Sequence, residues 1–390
     1  MGGEDVVFDL ERELLQSAGH QVVVYDRSNF EVDSYPGIKR LVLIQKAIWN
    51  ETARREFAEL LRAEKPDVVH VHNTWIMISP SIYSACREAG VPVVQTLHNY
   101  RLLCPVGTLF RDGKICEECV DHSLLRSVRN GCYRDSRAET ATVGLMLAVH
   151  RARHTWERDV TSYICLTDFA RRKFLHGGLP EEKMFVKPNF VYPDPLPGTG
   201  NGNCASGGGG NYVIFAGRLS PEKRVSTLLE GWTHLRSRVP LIIVGGGAQR
   251  KELEEEAIRS NLSMVEFKGL LTHDQTMAAI KGARFLVFSS EWYETFGLTM
   301  IEAFACGVPV LCSRMGAMQE IVDEGRTGLY FTAGDPVDLA EKVEWAWNHP
   351  DRMRQMGQEA RREYESKYTA EQNYPQLMEI YRRAVADNDF

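Results

Sequence analysis

Two carboxylates, Glu294 and Glu302, bracket the turn Phe296-Gly297-Leu298 in the stretch Ser289–Val310. The residues after the turn read as a helix. A helix start presents unbonded N–H groups to an anion. Glu302 falls a turn or more into that helix. There its carboxylate can accept two hydrogen bonds from vicinal hydroxyls. Phosphate at the helix start and a diol further along match the needs of a bound nucleotide. Both acids also have a plain reading: Glu294 as a helix-start charge and Glu302 on a solvated face.

A second constellation lies upstream, in Phe215-Ala216-Gly217-Arg218-Leu219-Ser220-Pro221-Glu222-Lys223-Arg224. It follows an apolar strand. Gly217 lets the backbone approach a ligand. Arg218 and Lys223 supply two cations, Arg as a fork and Lys as a point charge, that together can meet a diphosphate. Taken alone, the segment is equally a solvated basic loop. The Glu294–Glu302 segment downstream favours the ligand reading.

These motifs resemble the E-x7-E signature of family 4 retaining glycosyltransferases. The resemblance runs from Gly2-Gly3-Glu4-Asp5 to the terminal helix near Ala384. It implies an α/β chain of the GT-B class, with two Rossmann-like domains facing across a cleft. It implies donor binding by Gly217, Arg218, Lys223, Gly269, Leu270, Glu294, Gly297, Leu298 and Glu302, with Gly2 and Gly3 contributing backbone. Glu302 would hold the ribose hydroxyls and Glu294 the transferred sugar. Arg218 and Lys223 would neutralise the departing diphosphate. No Asp-x-Asp occurs in the donor-site motifs, so no catalytic metal is expected. Retention by front-side attack, with the nucleotide phosphate as base, is likewise implied by the family. Lys268-Gly269-Leu270-Leu271 stands where such enzymes hold the base. Gly245-Gly246-Gly247 is equally a nucleotide-facing turn or a plain strand-to-helix loop.

The elements that must position these groups are legible as apolar, β-branched runs alternating with helical patterns. In the first half, strands are expected at Gln21–Tyr25, Val68–Val71, Val91–Leu97 and Ser162–Leu166. Pro195–Asn211, rich in glycine, reads as a flexible linker. A second series begins at Tyr212–Ala216 and continues through Leu241–Val244, Val265–Phe267, Phe285–Phe288, Val308–Leu311 and Leu329–Phe331. The expected domains are therefore 1–194, the linker 195–211, and 212–367. A terminal helix within 368–390 crosses back to the first domain, as the resemblance implies. One departure stands out. Related chains carry a central strand before the Gly-Gly loop, and here the loop opens the sequence. The first domain is thus expected to lack its usual first strand, with the true start upstream, the chain a fragment, or the domain degenerate.

In the first half, His98 ends the strand in Gln95-Thr96-Leu97-His98-Asn99-Tyr100. It matches a family histidine near the donor phosphate and sugar, and its imidazole can serve either. His70, His72 and Asn73 end the preceding strand and are candidates for the acceptor side. Cys104, Cys116, Cys119 and Cys132 form a separate group. The Cys116-x-x-Cys119 pair is half of a zinc knuckle, so structural zinc is one reading and buried or redox-active thiols the other. From Leu124 to Lys173 the chain is rich in arginine, with Trp156, Phe169 and Phe174 among or beside the basic residues. This is either a solvated helix face or a surface for anionic lipid or a phosphate-bearing acceptor.

Composition narrows the classes. The 390 residues suit two domains, and a net charge of -6 argues against a nucleic-acid binder. No apolar run reaches a membrane span, and the first ten residues are not a signal peptide. The expectation is a cytoplasmic hexosyltransferase, peripheral at most at the inner membrane face. It would move sugar from a nucleotide-diphosphate donor to a glycan or lipid-linked acceptor in polysaccharide or glycoconjugate biosynthesis. Two rivals share the architecture: a nucleotide-sugar 2-epimerase and a non-catalytic nucleotide-sugar binder. A dehydrogenase is disfavoured because Gly-x-Gly-x-x-Gly is absent at the domain starts.

Overall fold

The computed structural model describes residues 3–27, 39–197 and 209–388. The chain forms two compact units. One comprises 1–111, 116–187 and 374–390; the other comprises 112–115 and 188–373. The division falls between Lys187 and Pro188, a few residues before the expected boundary at 194. Most of the Gly-rich linker lies outside the described residues.

The first unit is built on a parallel sheet of four strands: β1 (Val69–Val71), β2 (Val93–Leu97), β3 (Ser162–Cys165) and β4 (Met184–Val186), in that order. Every residue of β2 and β3 is buried, as a parallel sheet covered on both faces requires. Helix α1 (Gly3–Ser17) places Leu15 against a cluster formed by Val94, Ile164, Leu377, Ile380, Tyr381 and Ala384. Helix α2 (Glu51–Glu64) starts where the Asn50 side chain accepts from the Ala53 N–H, and buries Ala53, Phe57 and Leu61.

The Gln21–Tyr25 strand does not form. Residues 21–27 belong to no ladder, and β1 is an edge of the described sheet. Val22, Val23 and Val24 have high strand propensity, but a strand exists only when a neighbour takes its hydrogen bonds. Among the described residues no strand lies beside β1 on its outer side.

The second unit carries six parallel strands: β5 (Val213–Ala216), β6 (Leu241–Val244), β7 (Val265–Gly269), β8 (Phe285–Phe288), β9 (Val310–Ser313) and β10 (Gly328–Phe331). Their spatial order is β10-β9-β8-β5-β6-β7. The sequence of strands thus runs outward in one direction from β5 and in the other from β8. That reversal is the topological switch point of a Rossmann sheet, and ligands bind beyond the carboxyl ends of its strands.

Two helices set the far wall of this region. Helix α3 (Leu298–Ala305) is buried nearly throughout, with Met300, Ile301, Ala303, Phe304 and Ala305 in the core. Helix α4 (Pro350–Lys367) pins its end. The buried Arg361 guanidinium donates to the Ala305 carbonyl at 2.7 Å and grips Asp194 with two bonds of 2.7 Å. The terminal helix α5 (Ala370–Ala386) follows, and its residues from Tyr374 onward belong to the first unit.

Gly245 shows how closely the backbone is packed at the switch point. Its φ is +141°, and an added Cβ would sit 1.8 Å from the Gly217 carbonyl oxygen. A side chain here must push away the loop that carries Arg218 and Lys223. The three-glycine turn therefore serves backbone approach within the sheet. Gly245→Ala is expected to cost about 2 kcal/mol or more, read as a lower urea midpoint. An unchanged midpoint would show that the loop yields without strain.

Candidate active site

The loops after β5 and β8 flank the switch point and are stitched together. The Ser289 hydroxyl donates to the Lys223 carbonyl at 2.8 Å, and the Glu291 N–H donates to the Glu222 carbonyl at 3.0 Å. Lys223, in the short 3-10 turn Pro221–Lys223, ion-pairs through its ammonium with Glu294 Oε1. The same oxygen accepts from Ser290 Oγ at 2.7 Å and from Trp292 Nε1 at 2.8 Å. The ammonium also lies 5.0 Å from the Phe288 ring centroid and 5.7 Å from that of Trp292, a cation–π environment. Glu294 is buried and its orientation is fixed by three donors. The sequence reading brought Lys223 and Glu294 to one ligand; the structure brings them to each other first.

Arg218 is exposed on the same loop and makes no ion pair among the described residues. Gly217 donates its N–H to the Val244 carbonyl, which ties the loop to β6. Gly269 closes β7, where its carbonyl accepts from the Gly245 N–H at 2.8 Å. Leu270, next along, is 82% exposed, so its side chain is on the surface beside these turns.

Gly297 sits at the start of α3 with φ of +97°, where an added Cβ would come 2.5 Å from Met300 Cε. Leu298 is the first helical residue. Glu302 lies one turn further, 9% exposed. Among the described residues its nearest ionisable partner is His273 Nδ1, at 3.9 Å. Burial pushes the Glu302 carboxyl up to about 7. A buried acid with so little protein compensation is suited to hydroxyl donors from a ligand.

Two residues here escaped the sequence reading. Glu291 accepts from Thr227 Oγ1 at 2.8 Å and pairs with Arg224 Nε at 2.9 Å. Their adjacency to Lys223 and to the Glu294 stretch was the available signal. Nothing in the spacing said that they would pair.

In the first unit, His72 and His98 follow the ends of β1 and β2. His72 Nδ1 is 2.9 Å from His98 Nε2. With Asn73, Trp75, Asn99 and Arg101 they line a cavity of about 40 Å³. The Arg101 guanidinium lies 5.5 Å from the ring centroids of both Trp75 and Tyr133. Beneath the histidines, Lys187 Nζ bonds Glu11 Oε1 at 2.7 Å, and Glu11 Oε2 lies 3.3 Å from His72 Nε2. His70 bonds Tyr381 Oη at 2.7 Å through Nδ1 and Thr96 Oγ1 at 2.8 Å through Nε2. Burial and the neighbouring His72 hold His70 down to about 3 and His98 well below the usual imidazole range. Gly3 is the exposed first residue of α1, and Gly2 lies outside the described residues.

The cysteines are partly gathered. Cys104 and Cys119 are buried, and Cys116 and Cys132 are half-buried; all four are free thiols. Cys119 donates to Cys104, which draws Cys104 down to about 6 and pushes Cys119 up. Arg111 bonds Cys132. No three of the four sulfurs lie within 4.8 Å of one another. Among the described residues the only group of that kind is Glu11, His70 and His72. The C-terminal part of the basic stretch is neutralised: Arg158 pairs with Asp159, Arg171 and Arg172 with Asp168, and Lys173 with Glu117. Among the described residues no helix is long and apolar enough to cross a membrane.

Comparison with known proteins gives these geometries a setting. The model "Glycosyltransferase Family 4" matches residues 1–194, and "Glycosyl transferases group 1" matches residues 205–363. An uncharacterized glycosyltransferase of Methanocaldococcus jannaschii is 29% identical over 44% of this chain and 48% of its own length. Glycogen synthase of Mycobacterium tuberculosis is 30% identical over 79% of this chain and 66% of its own. The crystal structure of Anabaena HepE in complex with UDP-glucose superimposes with a TM-score of 0.64 at 18% identity, covering 97% of this chain and 95% of that one. The shared fold is two Rossmann-like domains of the GT-B class. The alignments span about half the length of the first curated relatives.

The state of Glu302 yields a pH dependence. Hydroxyl donors favour the ionised carboxylate, whose protonation is centred near pH 7 in the ligand-free chain. Nucleotide affinity is expected to rise as pH increases from 6 to 8, by up to about ten-fold. Glu302→Gln should flatten that rise. Calorimetric titration with UDP, GDP and ADP across this range checks it; an equally steep rise in the variant would contradict it.

Proposed function

Because the chain belongs to the family 4 glycosyltransferases, we propose that it transfers a sugar from a nucleotide-diphosphate donor to a hydroxyl of a glycan or lipid-linked acceptor. The observation that carries this reading is the Lys223–Glu294 pair, stitched across the switch point of the second unit. A diphosphate arriving there meets the exposed Arg218 fork and the Lys223 ammonium, which Glu294 already orients. The two cations offset negative charge that grows on the leaving nucleotide as the glycosidic bond lengthens. Glu302 takes the ribose hydroxyls, and Gly297 and Leu298 offer backbone to sugar and phosphate. His98 is the first unit's candidate for contact with the transferred sugar. Trp75 and Arg101, in the cavity beside it, suit a sugar ring on the acceptor side. Retention of anomeric configuration, and nucleotide phosphate as base, belong to the same proposal. The UDP-glucose bound to HepE supports a UDP-sugar as the first donor to try. Leu125, 75% exposed beside Arg126 and Arg129, is the surface we assign to an anionic headgroup plane.

The experiment is a thermal-shift panel of UDP-, GDP- and ADP-sugars, then a transfer assay with the donor that stabilises most. Lys223→Ala is expected to lower transfer by about 10³-fold or more while circular dichroism still reports a folded chain. Wild-type turnover in that variant would refute the assignment. Epimerised sugar from donor alone would favour the 2-epimerase.

For the cysteine loop we propose a zinc staple. The segment holds only short elements, a two-stranded ribbon (Phe110–Arg111 with Lys114–Ile115) and two helices of four and six residues. Four thiols within this small segment supply the ligand number of a closed structural site. No three of these sulfurs are gathered within 4.8 Å of one another, so the ion would have to draw them inward. About one zinc per chain is expected by elemental analysis, lost in Cys116→Ser with a lower melting temperature. Metal-free protein indifferent to chelator would leave the thiols as buried side chains.

A further inference from the structure

Arg101 brings a full positive charge into the first unit's cavity, just beyond the end of β2. Neutral groups meet it. Nη1 donates to the Pro105 carbonyl at 2.8 Å, and the ring centroids of Trp75 and Tyr133 each lie 5.5 Å from the guanidinium carbon. Trp75 Nε1 donates to Tyr133 Oη at 3.2 Å and the two rings stand at 85°, so they form one aromatic corner. Asn99 Oδ1 accepts from the Arg101 backbone N–H at 3.0 Å and fixes the residue at its root. The Nε atom is buried with no hydrogen-bond partner. Among the described residues no carboxylate lies within ion-pair distance of this guanidinium.

Two further charges bear on the corner. Glu4 is the carboxyl that acts on Arg101 at longer range, but it bonds Asn73, and burial raises it toward its neutral form. Arg134 lies 5.4 Å from the Tyr133 ring centroid, so a second guanidinium faces a ring that Arg101 already faces. Its own acid, Glu139, is 3.7 Å away and exposed. The fold thus gathers two cations at one corner and offers the inner one no anion. A ring face offsets a desolvated cation only in part, whereas an oxyanion matches both its charge and the geometry of its fork.

We propose that Arg101 is a receptor for an oxyanion, and that the acceptor is an anionic sugar whose carboxylate or phosphate enters this cavity. Among the described residues the guanidinium spends one hydrogen bond on a protein acceptor, and a guanidinium carries five N–H donors. The cavity of about 40 Å³ has room for about three water-sized groups. An oxyanion fits within it, and the sugar ring that carries it stays at the mouth, beside Trp75. The acceptor role rests on the proposed glycosyltransferase reading; the oxyanion site does not.

The test is saturation-transfer NMR on the full chain with glucuronate, glucose 6-phosphate and glucose, each at about 10 mM, enough to load a site of millimolar Kd. At least one of the anionic sugars should bind about ten-fold more tightly than glucose, and the arm that responds identifies the oxyanion. Arg101→Gln should remove that preference while circular dichroism still reports a folded chain. Arg101→Lys keeps the charge and loses the fork, so it should weaken the anionic sugar by about ten-fold; it carries the test where Arg101→Gln fails to fold. Equal binding of glucose and both anions, no binding of either anion, or a preference undiminished in the folded variants overturns the proposal. With a donor in hand, Arg101→Gln should raise the acceptor KM by about ten-fold or more with donor KM little changed. Selective, Arg101-dependent anion binding in a chain that transfers no sugar would keep the oxyanion site and discard the acceptor role.

Discussion

One ammonium–carboxylate contact, Lys223 to Glu294, organises the second unit's site. A Rossmann sheet opens a gap where its strand order reverses, but it does not fix the loops beside that gap. Here the loop after β5 supplies the cation and the loop after β8 the anion. Removing either partner from a poorly hydrated site strands a charge, at a cost of about 3 kcal/mol or more. The pair therefore couples the two loops, and the bonds from Ser289 and Glu291 set their register. Arg218, left exposed on the same loop, is the part not consumed by this internal pairing. The site keeps one cation oriented by an acid and a second free to reorganise toward an anion.

The first unit uses the same device for a different end. Lys187 and Glu11 are more deeply buried than Lys223 and Glu294, and they sit beneath two histidines instead of beside the switch-point turn. In water such a pair is worth little. In the interior, breaking such a pair by removing one partner strands the other charge, so the contact ties α1 to the end of the first unit's sheet. Tyr381, from the terminal helix, bonds His70 Nδ1 beside this pair.

Much of this was legible beforehand, and the reasons for success and failure are physical. Helices such as 51–64, 273–281 and 336–348 start at side-chain caps that are local in sequence, which makes such elements readable. The six strands of the second unit follow apolar runs between turn signals. Gln21–Tyr25 failed because strand formation is decided by a partner elsewhere in the chain. Met184–Val186 was missed because a three-residue edge strand carries little pattern. Lys223 and Glu294, which the sequence reading assigned to one ligand, do meet, because the motifs that carry them follow neighbouring strands of one sheet. Glu11 and Lys187 were not readable. They lie 176 residues apart, and a glutamate on an amphipathic helix looks solvated until the fold buries it.

Glu302 gains meaning from that contrast. The described residues hold several buried charges, and the fold meets them one by one. Arg361 is held by Asp194 and the Ala305 carbonyl, Asp159 by Arg87 and Arg158, Glu363 by Arg326 and Lys367, Glu294 by three donors and Glu11 by Lys187. Glu302 has a half-exposed histidine at 3.9 Å. Each of those groups has an ion partner in direct contact, whereas Glu302, on a helix whose far end is pinned by Arg361, has none closer than that imidazole among the described residues. Desolvating a carboxylate without partners costs stability, and the fold bears that cost at Glu302 on α3. Ligand hydroxyls would supply the missing donors, and the free energy withheld during folding would then return on binding.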